Sequence, residues 1–291
     1  MKKILTLYFL GLSNLLIAQT PIAYYPFDGN ANASIGSLNG TVNGSTLTTD
    51  RNGVANKAYS FDGNDFISFT SVPTAVTDNW ALSAWVKPTI NMIEGTIVNN
   101  GLDDLTNSSN GYCMNVGDGT SGGSGNKLGY VFGLNERNTS GGVLALNMWH
   151  HVVMTRLSGT TRFYVNGVLM AFTTTNSPRI PTQFRIGSSM GIRFFTGSID
   201  EVRVYNVGLT TAQVQTLYCS SNTSLNLTGV ATTNQKTAEY IIAPPLTPPN
   251  QTNTINSATN ITYRAGKAIF LNKGFKANSG SVFKAEIGGC N

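Results

Sequence analysis

The chain has 291 residues, and its 19 Lys and Arg and 14 Asp and Glu give charged side chains only an 11% share. Its formal charge of +5 forms no dense run of Lys or Arg that could track a phosphate backbone, which argues against nucleic acid as a partner. Abundant Gly, Thr, Asn and Ser suit an extracellular β protein with many turns.

Lys2 and Lys3 precede an apolar run from Ile4 to Ile17, broken by Thr6, Gly11, Ser13 and Asn14 and followed by the small Ala18. That is the layout of a secretory signal peptide over residues 1–18, cut near Ala18. The run is too short and too interrupted to span a bilayer. The expectation is a secreted or cell-surface protein with no membrane span in the mature chain. Losing Lys2 and Lys3 leaves 17 basic and 14 acidic side chains, a net of +3. Export permits disulfides. Cys219 and Cys290 bracket the C-terminal segment and are the natural pair, and closing a loop of about seventy residues contributes roughly 4 kcal/mol. Cys113 in "GYCMNV" reads as a buried small hydrophobe. No metal-ligand spacing joins the three cysteines, which argues against zinc.

Strand patterns then recur at short intervals. "AYYPF" (23–27), "AYSF" (58–61), "DFISF" (65–69), "ALSAWVKP" (81–88) and "GTIVNN" (95–100) come first. "GYCMNV" (111–116), "KLGYVFGL" (127–134), "HHVVMTRL" (150–157), "TRFYVNGVLMAF" (161–172), "FRIGS" (184–188) and "GSIDEVRVYN" (197–206) follow. Most alternate or are rich in Val, Ile, Phe, Tyr and Thr, and turn residues bound them. Many short, evenly spaced strands predict an all-β sandwich. Asp62-Gly63-Asn64 and Asn166-Gly167 each read as hairpin turns. In "LTTAQVQTLY", Thr210 and Gln213 form a capping box before a helix with Val214 and Leu217 on one face.

In this order, "YPFDGNAN", "FDGNDFI", "LSAWVKP", "WHHVVMTR", "TRFYVNGVLM", "GSIDEVRVYN" and "LTTAQVQTLY" resemble the laminin-G-like, concanavalin A-like jelly-roll domains of secreted bacterial proteins. The resemblance spans residues 21–218 and implies a two-sheet antiparallel sandwich with ligand sites on its rim loops. The tail "AGKAIFLNKGFKANSGSVFKAEI" resembles the small three-coathanger stack at the C-termini of secreted Bacteroidetes proteins. Its glycine-punctuated strands suit stacked coils stapled by Cys219 and Cys290. The expected organisation is therefore a signal peptide (1–18), a sandwich (19–218) and a small β-stack domain (219–291). The four prolines of "PPLTPP" make the stretch before the stack an irregular surface loop.

The search for a site gives little for catalysis. A glycosidase needs two facing carboxylates, but Asp200 and Glu201 are neighbours on a strand and are expected to point to opposite faces. His150 and His151, the only histidines, have no nucleophile elbow beside them. The loop "GDGTSGGSGNK" (117–127) lacks a phosphate-loop ending and reads as a rim loop. The aromatics best placed to hold a sugar are Tyr112, Tyr130, Phe132 and Phe194. From Asp28 the chain reads D-x-N-x-N, but Ala33 and Asn39 stand where an EF-hand needs Gly and Glu. The family resemblance implies another arrangement, a structural calcium held between the loop after the first strand and the Asp of "IDEVR". Carried across, Asp28 and Asp200 match, Ala33 stands where a second loop carboxylate is usual, and Asn30 and Asn32 are the side chains left to supply further oxygens. The functional expectation is a secreted, non-catalytic binding or adhesion protein that recognises a glycan or an extracellular matrix surface. The alternatives are a carbohydrate-active hydrolase of the same fold and a purely structural surface protein.

Overall fold

The computed structural model describes residues 19–73, 78–101, 111–117, 125–132, 135–174, 183–189, 191, 193–220, 225–226, 235–243, 253–255, 260–271, 275–277 and 282–287. The expected signal peptide (1–18), most of the 117–127 loop, the proline-rich stretch and Cys290 lie outside the described residues. In chain order the first strands are β1 (Ala23–Tyr25), β2 (Thr41–Asn43), β3 (Thr46–Thr48), β4 (Ala58–Asp62), β5 (Phe66–Ser68), β6 (Trp80–Pro88) and β7 (Gly95–Asn100). They are followed by β8 (Tyr112–Gly117), β9 (Asn126–Phe132), β10 (Asn135–Leu144), β11 (His150–Leu157), β12 (Thr160–Val165), β13 (Val168–Thr173), β14 (Phe184–Ile186) and β15 (Thr196–Tyr205), then the helix α1 (Thr211–Ser220).

These strands form the all-β sandwich that the strand pattern predicts, built as a jelly roll of two antiparallel sheets as the resemblance implies. An eight-stranded sheet runs β13-β12-β11-β6-β15-β4-β3, with β1 also on β15, and a seven-stranded sheet runs β10-β9-β8-β7-β14-β5-β2. Period-two alternation sends one face of each strand into the core between them. Trp80, Leu82, Ala84 and Val86 of β6 meet Tyr112, Met114 and Val116 of β8 there, all nearly or fully buried. Burying each such side chain contributes about 1.5–3 kcal/mol. The intervening residues of β6 are buried too, because α1 covers the outer face of the eight-stranded sheet. Val214 and Leu217 of the helix pack on Ala81, Val153, Tyr164 and Tyr205. The capping box forms as read, with Gln213 N–H donating to Thr210 Oγ1 at 3.3 Å and Thr210 N–H to Gln213 Oε1 at 2.9 Å. The helix runs on through Cys219, so the expected boundary after residue 218 falls inside its last turn.

One expectation is corrected by the topology. Asp62-Gly63-Asn64 is no hairpin, because β4 and β5 belong to different sheets. It is a corner between the layers, where Asp65 Oδ2 accepts the Asp62 N–H at 2.9 Å and Gly63 takes a φ of 107°. Trp149 is half-buried beneath Lys87, at 5.5 Å. The short strands β2 and β3 and the long β10 carried too few alternating apolar residues to be predicted. By contrast, Asn166 and Gly167 form the predicted hairpin, with φ of 51° and 79°, both positive as a type I′ turn requires.

Beyond α1 the pairing changes to parallel. β16 (Leu225–Asn226), β17 (Gln235–Ala243), β19 (Asn260–Leu271) and β21 (Val282–Ile287) form one sheet, and β18 (Asn253–Ile255) pairs with β20 (Phe275–Ala277). Asn260 pairs with Val282 and Asn253 with Phe275, so in both pairs the partner lies 22 residues on. β19 is 12 residues long, longer than the brief strands expected.

Candidate functional site

β15 changes partner halfway along. Thr196 to Ile199 pair with β4, and Val202 to Val204 pair with β1. At the change the register against β6 shifts, with Asp200 opposite Trp85 and Arg203 opposite Ser83, which inserts one residue. That residue is Glu201, with a φ of 47° that non-glycine residues rarely adopt. The bulge corrects the expectation that Asp200 and Glu201 point to opposite faces, since both carboxylates reach Arg51. Arg51 Nη1 lies 3.3 Å from Asp200 Oδ2 and Nη2 lies 2.5 Å from Glu201 Oε1. The guanidinium also stacks 4.6 Å above Trp85. A loop between β3 and β4 delivers Arg51, held by Asp50, whose Oδ1 accepts the N–H groups of Asn52 and Val54 at 2.8 Å each.

A cleft of about 320 Å³ opens beside this cluster, lined by Tyr24, Asp28, Asp50, Arg51, Lys57 and Glu201 among others. Arg203 bridges to Glu201 Oε2 at 2.8 Å and lies 4.1 Å over the Tyr24 ring. Burial pushes the Asp200 carboxyl up to about 8, and neighbouring Glu201 adds to this while Arg51 opposes it. Tyr24 is pushed up to about 12, again chiefly by burial. Behind Trp85, His151 is fully buried, with Nε2 at 2.9 Å from Ser83 Oγ. Burial and the nearby Arg203 and Arg51 hold its pKa well below the usual imidazole range, so it is neutral. His150 hydrogen-bonds Ala145 O at 3.2 Å through Nε2. Neither histidine stands beside a serine–carboxylate pair among the described residues.

The oxygens of the two carboxylates are engaged internally. Asp200 Oδ1 accepts the Glu201 N–H at 2.7 Å, and Arg51 and Arg203 hold the rest. The cluster is a cross-link between the 49–57 loop, β15 and β1, in which arginines hold both Asp200 and Glu201. The arrangement does not suit Ca²⁺ either, which takes six to eight oxygens. Asp28 and Asp200 line one cleft as the resemblance implied, yet Asp28 pairs with Lys57 at 3.1 Å and Asp200 with Arg51. Asn30 spends its side-chain oxygen on the Asn32 N–H at 2.8 Å. Among the described residues no three His, Cys, Asp or Glu gather to hold a metal ion.

A second surface lies on the outer face of the seven-stranded sheet. Register places Thr41, Ser68, Arg185, Asn99 and Cys113 in one row across β2, β5, β14, β7 and β8. Asn43 and Phe66 form the neighbouring row on β2 and β5. The strip is exposed or half-exposed over β2, β5 and β14 and buried over β7 and β8. Asn43 Nδ2 donates to Ser68 Oγ at 3.0 Å, and the Arg185 guanidinium lies 4.9 Å over the Phe66 ring. Farther in, Cys113 is buried and its thiol donates to Asn99 Oδ1 at 3.3 Å. Thr96 Oγ1 and Asn115 Oδ1, on paired residues of β7 and β8, are buried without a hydrogen-bond partner among the described residues.

The aromatics expected to hold a sugar lie elsewhere. Tyr112 is buried and stacked on Trp80 at 3.8 Å, and Tyr130 is buried and stacked on Phe163 at 5.1 Å. Both correct the expectation, because they share the inward parity of Met114, which pairs with Tyr130. Phe194 is half-buried beside the fully buried Phe195. Phe132 closes β9, and its side chain lies outside the described residues. Sequence reading missed Phe66 and Ser68, although alternation in "DFISF" around the buried Ile67 could have marked them as outward. Nothing in the sequence links Arg51 to residues some 150 positions away.

The sequence pattern described as the concanavalin A-like lectin/glucanases superfamily (Laminin_G_3) matches residues 61–215. Domain 4 of AbnA, an extracellular arabinanase from Geobacillus stearothermophilus solved with arabinotriose, superposes with a TM-score of 0.56 at 22% identity, covering 68% of this chain and 98% of that one. The binding domain of Paraclostridial Mosquitocidal Protein 1 gives 0.53 at 18%, over 72% of this chain and 53% of that one. A Trypanosoma rangeli sialidase gives 0.53 at 17%, over 70% and 34%. At these identities the likenesses concern the fold. Comparison with curated proteins gives no match.

Proposed function

The chain belongs to the concanavalin A-like lectin/glucanase superfamily, and on that premise we propose that it is a non-catalytic carbohydrate-binding protein whose ligand lies on the outer strip over β2, β5 and β14. The carrying observation is the strip itself, where Thr41, Asn43, Phe66, Ser68 and Arg185 are brought together by register from three strands. A sugar presents hydroxyl groups beside patches of C–H. It is met by amide, hydroxyl and guanidinium groups beside an aromatic ring. The arabinotriose in the structure of the arabinanase domain is in keeping with this reading. The hydrolase alternative is disfavoured by the engagement of Asp200 and Glu201 with Arg51 and Arg203.

A glycan array probed with the purified protein tests the proposal. Binding is expected to fall at least tenfold in Phe66→Ala and to survive Asp200→Asn. An array without any bound glycan sinks the reading, and loss of binding in Asp200→Asn with Phe66→Ala unaffected moves the site to the cleft. Export by residues 1–18 and a Cys219–Cys290 disulfide complete the proposed picture of a secreted binder. Mass spectrometry of the exported chain should find Gln19 at its N-terminus and the two cysteines in one cross-linked peptide.

A further inference from the structure

We propose that the ligand of this strip is an acidic glycan, bound through its carboxylate or sulfate by Arg185; the inference rests on the carbohydrate reading above. Arg185 and Arg162 differ from the other buried or half-buried arginines described in the sandwich, and of these two only Arg185 has an aromatic ring beneath its guanidinium and a buried Nε. Arg51, Arg156, Arg193 and Arg203 each have a carboxylate within 3.3 Å. No carboxylate pairs with Arg185 among the described residues, although it is half-buried. Its Nε is closed off from solvent and has no hydrogen-bond partner among the described residues. A guanidinium partly removed from water without a counter-ion is costly unless something binds it.

The geometry indicates the chemistry of that partner. Phe66 covers one face of the guanidinium, which leaves the N–H edge for recognition. A fork of N–H groups matches the paired oxygens of an oxyanion better than a single hydroxyl. Ser68 stands opposite Arg185 in register, and Asn43 donates to it, so hydroxyl and amide groups flank the charge as a sugar ring would require.

The test is an array of uronate, sialylated and sulfated glycans, each beside its methyl-ester or desulfated counterpart, read with wild type, Arg185→Gln and Arg185→Lys. Wild type should bind at least one acidic glycan tenfold or more tighter than its neutral counterpart. Arg185→Gln should abolish that difference at an unchanged melting midpoint, and Arg185→Lys should keep part of it. The carboxylate and sulfate arms show which group is chosen. Equal binding of acidic and neutral partners by wild type overturns the inference and leaves the carbohydrate reading standing. A preference that survives in Arg185→Gln overturns the role of Arg185, and silence across every glycan brings down both.

Discussion

Replacing Arg51 with Met removes the one charge that joins Asp200 to Glu201 while keeping a stem that can still pack on Trp85. The side chains concerned are 7%, 3% and 14% exposed. Asp200, the most enclosed of them, is therefore left as a buried carboxyl without its counter-ion, and the cost depends on pH. In the wild type the Asp200 carboxyl is already raised to about 8 by burial. At pH 5 it carries a proton with or without Arg51, and the variant loses mainly the charged hydrogen bond to Glu201, about 1.5–3 kcal/mol. At pH 9 the wild type holds Asp200 ionised against Arg51, and the variant must bury the charge alone or bind a proton. The loss then approaches about 3–5 kcal/mol. The sign follows from linkage: a carboxyl raised in the folded state stabilises fully below its unfolded pKa, and that contribution fades as pH rises through the folded value. Losing Arg51 raises the folded value further, so the difference between variant and wild type widens upward from neutrality. Thermal unfolding at pH 5, 7 and 9 checks this, with about 2–4 °C expected per kcal/mol for a domain of this size. Adding Asp200→Asn to the variant should recover part of the loss at pH 9. A loss equal at pH 5 and pH 9, or below about 1 kcal/mol at pH 9, would refute the cross-link.

Calcium should not raise the melting midpoint of the wild type, because Lys57 and Arg51 already engage Asp28 and Asp200; a rise of several degrees in millimolar Ca²⁺ over chelator would contradict the charge arrangement. His151 is buried neutral with a lowered pKa, so the unfolded chain binds its proton first and stability falls as pH drops below about 6.5. His151→Gln should flatten that acid limb in unfolding curves between pH 7 and pH 5. Gln213→Ala, which removes the acceptor of the Thr210 N–H, should cost about 0.5–1 kcal/mol through the helix cap, read as a small drop in urea midpoint. Asn166→Ala removes the side-chain oxygen that accepts the His151 N–H at 2.9 Å and places Ala at a φ of 51°. Its expected cost is about 2 kcal/mol, and an unchanged midpoint would show that the turn tolerates it.

Local chemistry was legible wherever a few consecutive residues suffice. The alternation of "ALSAWVKP", the Asn166-Gly167 turn and the Thr210–Gln213 box each encode their own geometry, because strand parity, positive φ and capping depend on neighbours a few positions apart. What they do not carry is which sheet a strand joins. Asp62-Gly63-Asn64 has the residues of a hairpin turn, yet the strands it links pair with β15 and β14 instead of with each other. The same limit governed the site. Tyr112 and Tyr130 are aromatic on any reading, and only the packing of two sheets decides that they face inward. A bulge at Glu201 turns two neighbouring carboxylates to one side, and it arises where β15 exchanges β4 for β1, an event of tertiary pairing. Arg51 and Arg185 acquire their different states in the same way, one enclosed by carboxylates from far along the chain and the other seated on Phe66 with none beside it among the described residues. The sequence by itself determined strand rhythm, turns and the helix cap, since short-range geometry and burial parity are written residue by residue. The tertiary structure alone decided which charges meet, because electrostatic partners are set by distance in space and the closing of the sandwich sets those distances.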